Sequence, residues 1–481
     1  MSKESKENSY VFPTISARKL YGRQQIFTDV EEITADNVIE VLNKTMPTHS
    51  KNRGEIQYLY DYYRGKQPIL ERVKEIRPEI CNKIVENWAN QIVSFKVGYL
   101  CSSPIQYISG TKGDDISSKV DKLNDLMAND SKPAKDRDLF EWQMICGTSY
   151  RMIFPDKDSI FETFVNDPRE SFVIYKNEIG KKPIAGVYLT TQATKPKRVT
   201  VYTVYTEKLI LTVKDNAVVS AETNTMGAIP IIEYPANNAR LGAFEIVLDL
   251  LNAINDLDSN RIDGVEQFIQ SLMIIYNATL GDETANSIRE KGLIELKSVG
   301  EAKADVKILS EQLNQDQTQT LKEDIIRRIR EIVGLPSQGS GDTSDSSNNG
   351  AQLLKGGWEN AETRAKDSET MFKRNERVFL KVLLDILKKK SVIDLSPMDI
   401  DINFTRRNYE NIQAKAQVLT MMLSQDKIHP KLAFESCGMF IDPEQAYRES
   451  AEYYESVGRT EQLNNRVDGD DKSAGDNEEN N

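Results

Sequence analysis

A run with no proline and one glycine, Gly264, extends from Ala243 to Gln270, and it carries two opposed faces of different chemistry. Val247, Leu250, Leu251, Ile254, Leu257, Ile262, Val265, Phe268 and Ile269 recur at the spacing of a single apolar helical stripe. Glu245, Asp249, Asn252, Asp256, Asn260, Asp263 and Gln267 step by four or three residues along the opposite side. One helix over 244–270, roughly 40 Å long at 1.5 Å per residue, satisfies both sets. Asp249, Asp256 and Asp263 lie seven apart, which brings up a carboxylate every two turns, about every 10.5 Å.

Two readings of this acidic stripe (Glu245, Asp249, Asp256, Asp263) stand side by side. It can be a solvated outer face, as most charge stripes are. Exposed helices, however, usually mix Glu with Lys for i, i+4 support, and here Arg261 is the one cation that breaks the pattern. Copies of a one-sign stripe arranged around a channel would repel duplex DNA from all sides and let it slide, where an arginine lining would grip phosphates.

The flanking sequence is mixed. Helical patterns cover Asp36, as a cap, to Pro47, which ends the segment; a second block, Ile56 to Lys74; and a third, Pro78 to Leu100, with Ile80, Ile84, Val85, Trp88, Ile92, Phe95 and Val97 largely on one face. Between about Arg151 and Pro235 the period changes to short β-branched runs separated by polar turns, which predicts an antiparallel sheet. Residues 272–310 read as a small α/β insert. Helices follow over Asp316–Gly334 and Ala351–Lys390, the latter weakened near Gly356–Gly357, then a strand at Asp399–Thr405 and two or three helices to about Ser456. The fold class is α+β, mostly helical.

Composition narrows the function. The net charge of −12 argues against a broad basic surface that grips nucleic acid, but not against a protein through which DNA passes. An apolar fraction of 39% with 28% charged residues suggests extended elements or faces completed by neighbouring subunits. The sequence predicts no secretory signal and no membrane span. Cys81, Cys101, Cys146 and Cys437 form no CxxC pair and read as reduced thiols. His49 and His429 belong to no HExxH, and neither a GxSxG elbow, an EF-hand nor a GxxxxGK[ST] loop occurs. No catalytic residue, metal or cofactor is expected.

In the second helix, Lys322, Arg327, Arg328 and Arg330 are balanced by Asp316, Glu323, Asp324 and Glu331. They read either as ion-pairing partners or as a basic ring that touches phosphates transiently. The polar stretch 336–350, with Gly339, Ser340, Gly341, Asp342, Asp345, Asn348 and Asn349, has linker composition but sits between two strong helices. Long structureless loops in that position are usually functional.

Tyr62-Tyr-Arg-Gly-Lys-Gln-Pro68, Asn82-Lys-Ile-Val-Glu-Asn-Trp-Ala-Asn-Gln-Ile-Val93, Val97-Gly-Tyr-Leu100 and Ser103-Pro-Ile105, together with the order of elements, resemble the portal proteins of long-tailed phages infecting Gram-positive bacteria. The resemblance extends over about residues 35–460. It implies a wing at 31–243 after a flexible arm at 1–30, a stem helix at 244–270, a clip at 271–315 and a second stem helix at 316–335. A tunnel loop at 336–350, a long wing helix with return strand at 351–405 and a helical crown at 406–460 follow; an acidic, disordered tail occupies 461–481. It further implies a ring of about twelve subunits at the capsid portal vertex of the virion, assembled in the host bacterial cytoplasm. Double-stranded viral DNA would pass through it. The implied partners are the terminase large subunit, head-completion or adaptor protein, and major capsid and scaffolding proteins, with no membrane. Another structural virion component, or a bacterial enzyme with a helical C-terminal domain, are the alternatives. Which stem helix faces the lumen is left open.

Overall fold

The computed structural model describes residues 20–75, 77–110, 114–194, 197–269, 272–276, 305–309, 315–336, 357–405, 412–425, 427–440 and 443–457. Among them helical residues outnumber strand residues, and the strands are mainly antiparallel: the fold is α+β.

The N-terminal part departs from the expected arm, because Ile26–Thr28 (β1) pairs in parallel with Ser171–Lys176 (β5). Helix α1, Val38–Tyr63, then runs without a break through Pro47. An internal proline costs a helix about 3 kcal/mol, yet the expected end at Pro47 does not occur. The two halves of α1 are buried in different cores: Val38, Val41 and Leu42 against the large sheet, and Ile56, Leu59 and Tyr62 in the helical core. Burial at both ends outweighs the local break.

Helix α2, Trp88–Leu100, starts ten residues later than the apolar pattern from Pro78 suggests. Residues 81–87 are in neither helix nor strand. Strand β2 (Gln106–Ser109) and helices α3 (Asp114–Asn129) and α4 (Lys132–Cys146) follow.

The β region is two sheets, not one. Strands β3 (Thr148–Pro155), β4 (Phe161–Asn166) and β10 (Ile231–Pro235) form a small antiparallel sheet in the order β10-β3-β4. Strands β6 (Pro183–Thr194), β7 (Lys197–Tyr205), β8 (Leu209–Lys214) and β9 (Ala217–Thr223) extend β1-β5 into a six-stranded sheet. The sheets meet closely: a Cβ on Gly186 of β6 would lie 2.7 Å from the Ile231 Cβ of β10.

A 3-10 turn at Glu245–Val247 leads into α5, Leu248–Ile269. Strands β11 (Leu272–Tyr276) and β12 (Asp305–Leu309) pair antiparallel and lead to α6, Gln315–Val333. Helix α7, Trp358–Lys389, begins at Gly357, whose φ of 75° stops it from extending upstream. Strand β13 (Ile400–Asn403) pairs with β2. Helices α8 (Ile412–Leu423), α9 (Pro430–Cys437) and α10 (443–457) end the described chain.

A buried ion cluster ties the centre together. Lys132 and Asp136 of α4, Arg151 of β3 and Glu376 of α7 are all nearly inaccessible to water. Lys132 Nζ lies 2.9 Å from one Glu376 oxygen and Arg151 Nη1 3.2 Å from the other. Arg151 also bonds Asp136, and the Tyr107 and Tyr234 hydroxyls donate to Glu376 at 2.5 and 2.8 Å. Two cations thus meet two carboxylates, with two phenol hydroxyls adding hydrogen bonds to Glu376, which offsets much of the cost of burying the charges although Arg151 Nε is left without a partner.

Candidate functional site

The two sequence stretches that carry the family resemblance come together against the side of α5. In the first, Gly65 has a φ of 92° just past the end of α1. Its N–H donates to the Tyr62 carbonyl and that of Lys66 to the Asp61 carbonyl, a Schellman closure that requires a left-handed residue at this position. The chain thereby turns so that Gln67 meets the second stretch. Gln67 Nε2 donates to Asn87 Oδ1 at 3.1 Å, and Asn87 Nδ2 to the Tyr63 carbonyl at 2.9 Å. Asn87 also caps α2, its side chain accepting from the Asn90 N–H.

Residues 82–86 lie along α5, and their alternate backbone N–H groups find acceptors on it. Glu86 N–H donates to Asn255 Oδ1 at 2.8 Å, Ile84 N–H to Ser259 Oγ at 3.0 Å and Asn82 N–H to Asp263 Oδ1 at 2.7 Å. Four residues of helix rise about 6.0 Å and two residues of extended chain about 6.6 Å, so the two repeats stay in step over three contacts. A helix face here replaces a partner strand. This is the physical reason residues 78–87 are not helical.

The same segment holds α6. Lys322 bridges Glu86 at 2.8 Å and Asp258 of α5 at 2.9 Å, and the Arg330 guanidinium lies 5.5 Å from the centre of the Trp88 ring. Residues 82–88 are therefore a brace that fixes both long helices to the body of the chain.

The brace corrects the acidic stripe. Glu245 is buried, pairing with Arg23 at 2.5 Å and accepting the Gly242 N–H at 2.9 Å. Asp263 is buried as well, facing Lys74 at 2.6 Å and Arg72 at 3.2 Å. Burial by itself pushes the Asp263 carboxyl up; Lys74 and the two Asn82 hydrogen bonds outweigh it and hold the pKa below its usual value. Neither residue belongs to an open stripe, because each is consumed by contacts within the chain. Asp249 and Asp256 remain exposed.

The basic set divides too. Lys322 and Arg330 are engaged as above, while Arg327 and Arg328 are exposed and pair with Asp324. Gly339, Ser340, Gly341, Asp342, Asp345, Asn348 and Asn349 lie outside the described residues, as do all residues between β11 and β12 (277–304) and the acidic tail. The sequence reading passed over Asn255 and Ser259. Their i, i+4 spacing with Asp263, on the flank of the apolar stripe, is the signal that could have exposed them.

Among the described residues no His, Cys, Asp and Glu group could hold a metal, and no helix is long and apolar enough to cross a membrane. Over residues 43–460 the chain matches the family described as Phage portal protein, SPP1 Gp6-like. The chain belongs to this portal family. No curated relative matches it significantly. A solved chain from the "neck of empty GTA particle computed with C6 symmetry" is similar at 11% identity, with a TM-score of 0.42, over 73% of this chain and 90% of that one. In this portal-family chain the Tyr62–Pro68 and Asn82–Val93 stretches anchor the long helices through Gln67, Asn82, Ile84, Glu86 and Trp88, while Arg64, Lys66 and Lys83 within them are exposed.

Proposed function

We propose that the chain is one subunit of a closed ring of about twelve copies at a single capsid vertex, through which double-stranded DNA is packaged and ejected. Membership of the portal family over residues 43–460 carries this reading. It is supported by the pair of long helices, α5 and α6, joined at one end by β11 and β12 and held along their length by the brace.

In this reading α5 and α6 are the stem, 271–315 the clip, 336–350 the tunnel loop, 31–243 with α7 the wing and 406–460 the crown. The clip docks the terminase large subunit during packaging and the head-completion protein afterwards; capsid and scaffolding proteins surround the wing. Lumen-lining charge falls to Asp249 and Asp256 on α5, with Arg327 and Arg328 on α6 as transient phosphate contacts. The chain hydrolyses nothing; its role is conduit and docking ring.

Light scattering on the purified full chain, with negative-stain images of the same peak, tests this. A particle about twelve times 54.6 kDa, seen as a ring with a central hole, is the expected result. A stable, hole-free dimer at every concentration would overturn it.

A further inference from the structure

Among the described residues, strand β10 is an edge strand of the small sheet. Ile153 N–H donates to the Pro230 carbonyl and Ala236 N–H to the Gly147 carbonyl. By antiparallel alternation, Ile231 and Glu233 therefore turn their backbone N–H and C=O groups away from β3. That open edge forms the floor of a groove of about 1110 Å3.

One wall is α7. Arg374, Val378, Lys381, Asp385 and Lys388 follow one another at steps of four and three along it, all exposed, and all line the groove. The other wall is the β5–β6 hairpin, with Tyr175, Pro183 and the fully exposed Ile179 at its tip. The slot is thus bounded on both faces and floored by unpaired strand edge, with apolar side chains on either side. It has the form of a layer with one strand left out.

The chain holds a segment suited to fill it. Tyr10-Val-Phe-Pro-Thr-Ile-Ser16 is rich in β-forming residues, and a proline there fits only the outermost position of a sheet. The described chain that follows it begins beside the slot. Arg23 N–H donates to the Arg240 carbonyl at 3.1 Å, Arg240 in turn pairs with Glu233 of β10 at 2.7 Å, and Gln25 lines the groove. Residues 17–20 span at most about 14 Å, which is enough to set Ser16 by the last residues of β10. From there the segment leads back towards residue 10 along the edge.

We propose that residues 10–16 of the chain's own N-terminal arm fill this slot as a strand added parallel to β10. Alternate side chains would then face α7 and the hairpin: Tyr10, Phe12 and Thr14 on one side, Val11, Pro13 and Ile15 on the other.

A photoreactive benzoylphenylalanine in place of Phe12, in the full chain, tests the proposal. Subunits grown in light and heavy nitrogen are mixed first, so that adducts within a chain are told apart from those between chains. The expected result is adducts within one chain, onto residues 175–183 or 371–381, lost in Val378→Asp. Deleting residues 1–16 should speed amide exchange at Ile231 and Glu233 by roughly tenfold or more. Adducts on another surface, adducts between chains, or exchange at β10 that ignores the deletion would each overturn it.

Discussion

Glu376 is fully buried, and its carboxylate is shared by two cations and two phenols. Burial alone would raise its pKa; the Lys132 and Arg151 charges, with the Tyr107 hydrogen bond, bring it down to about 2. Glu376→Gln leaves two buried cations facing Asp136 alone, and removing one partner of such a network costs about 3–5 kcal/mol. The denaturant midpoint should fall accordingly; an unchanged midpoint would mean that the cluster contributes nothing to stability. His49 offers a second test, in pH. It stacks on Phe172 with ring centres 4.4 Å apart and donates to the Arg169 carbonyl at 3.2 Å. Burial pushes its pKa from 6.5 down to about 4, the Arg53 charge adding to this against the Arg169 carbonyl. Between those values the unfolded chain binds a proton that the folded chain refuses. Stability is therefore intact above pH 6.5 and falls as pH drops through the window, by up to about 3 kcal/mol near pH 4. Measured across this range, His49→Phe should flatten that part of the profile; identical profiles would refute it. At this scale the sequence offered sign and spacing but not partners. Glu245 and Asp249 look alike in the stripe, and only Arg23 and the Gly242 N–H, reached through the fold, bury one and leave the other open.

Elements that carry their own complete pattern were readable. Helices α5, α6 and α7 each present an apolar stripe over many turns, and a glycine marks the end of α6 and the start of α7. Elements whose hydrogen bonds come from far along the chain were not. Strand β10 pairs with β3, some 80 residues earlier, so no local period announces a second sheet. Residues 78–87 have helical spacing, but the N–H groups of Asn82, Ile84 and Glu86 are claimed by Asp263, Ser259 and Asn255. Ser259→Ala removes the middle acceptor and leaves the Ile84 N–H unsatisfied beside a buried helix face. The expected cost is about 1–2 kcal/mol, with exchange of the Ile84 amide rising more than that of amides in α4. If the Ile84 amide keeps its protection, the ladder is not what holds the brace to α5.

For the whole molecule, the brace separates two roles that the linear sequence superimposes on α5. Asp263 belongs to the attachment of the helix, and lysine there would set a third cation beside Arg72 and Lys74 with no carboxylate between them. Asp249 and Asp256 are exposed and free to act on whatever lies outside the chain. In a ring, each would repeat around the axis and give two bands of negative charge two turns apart. A polyanion inside such bands is held off the wall rather than bound. Changing both residues to lysine should therefore spare the fold. Asp249 in the first turn of α5 would lose at most about 1 kcal/mol of helix-dipole support, and an exposed substitution costs little otherwise. Rings should assemble in normal yield, while the amount of DNA packaged falls by roughly an order of magnitude, with the deficit largest at low salt, where unscreened cations hold phosphate most tightly. Asp263→Lys should do the reverse, lowering stability and ring yield before packaging is reached. If the double variant packages full-length DNA at the normal rate, Asp249 and Asp256 do not face the lumen, and Arg327 and Arg328 of α6 become the residues to test.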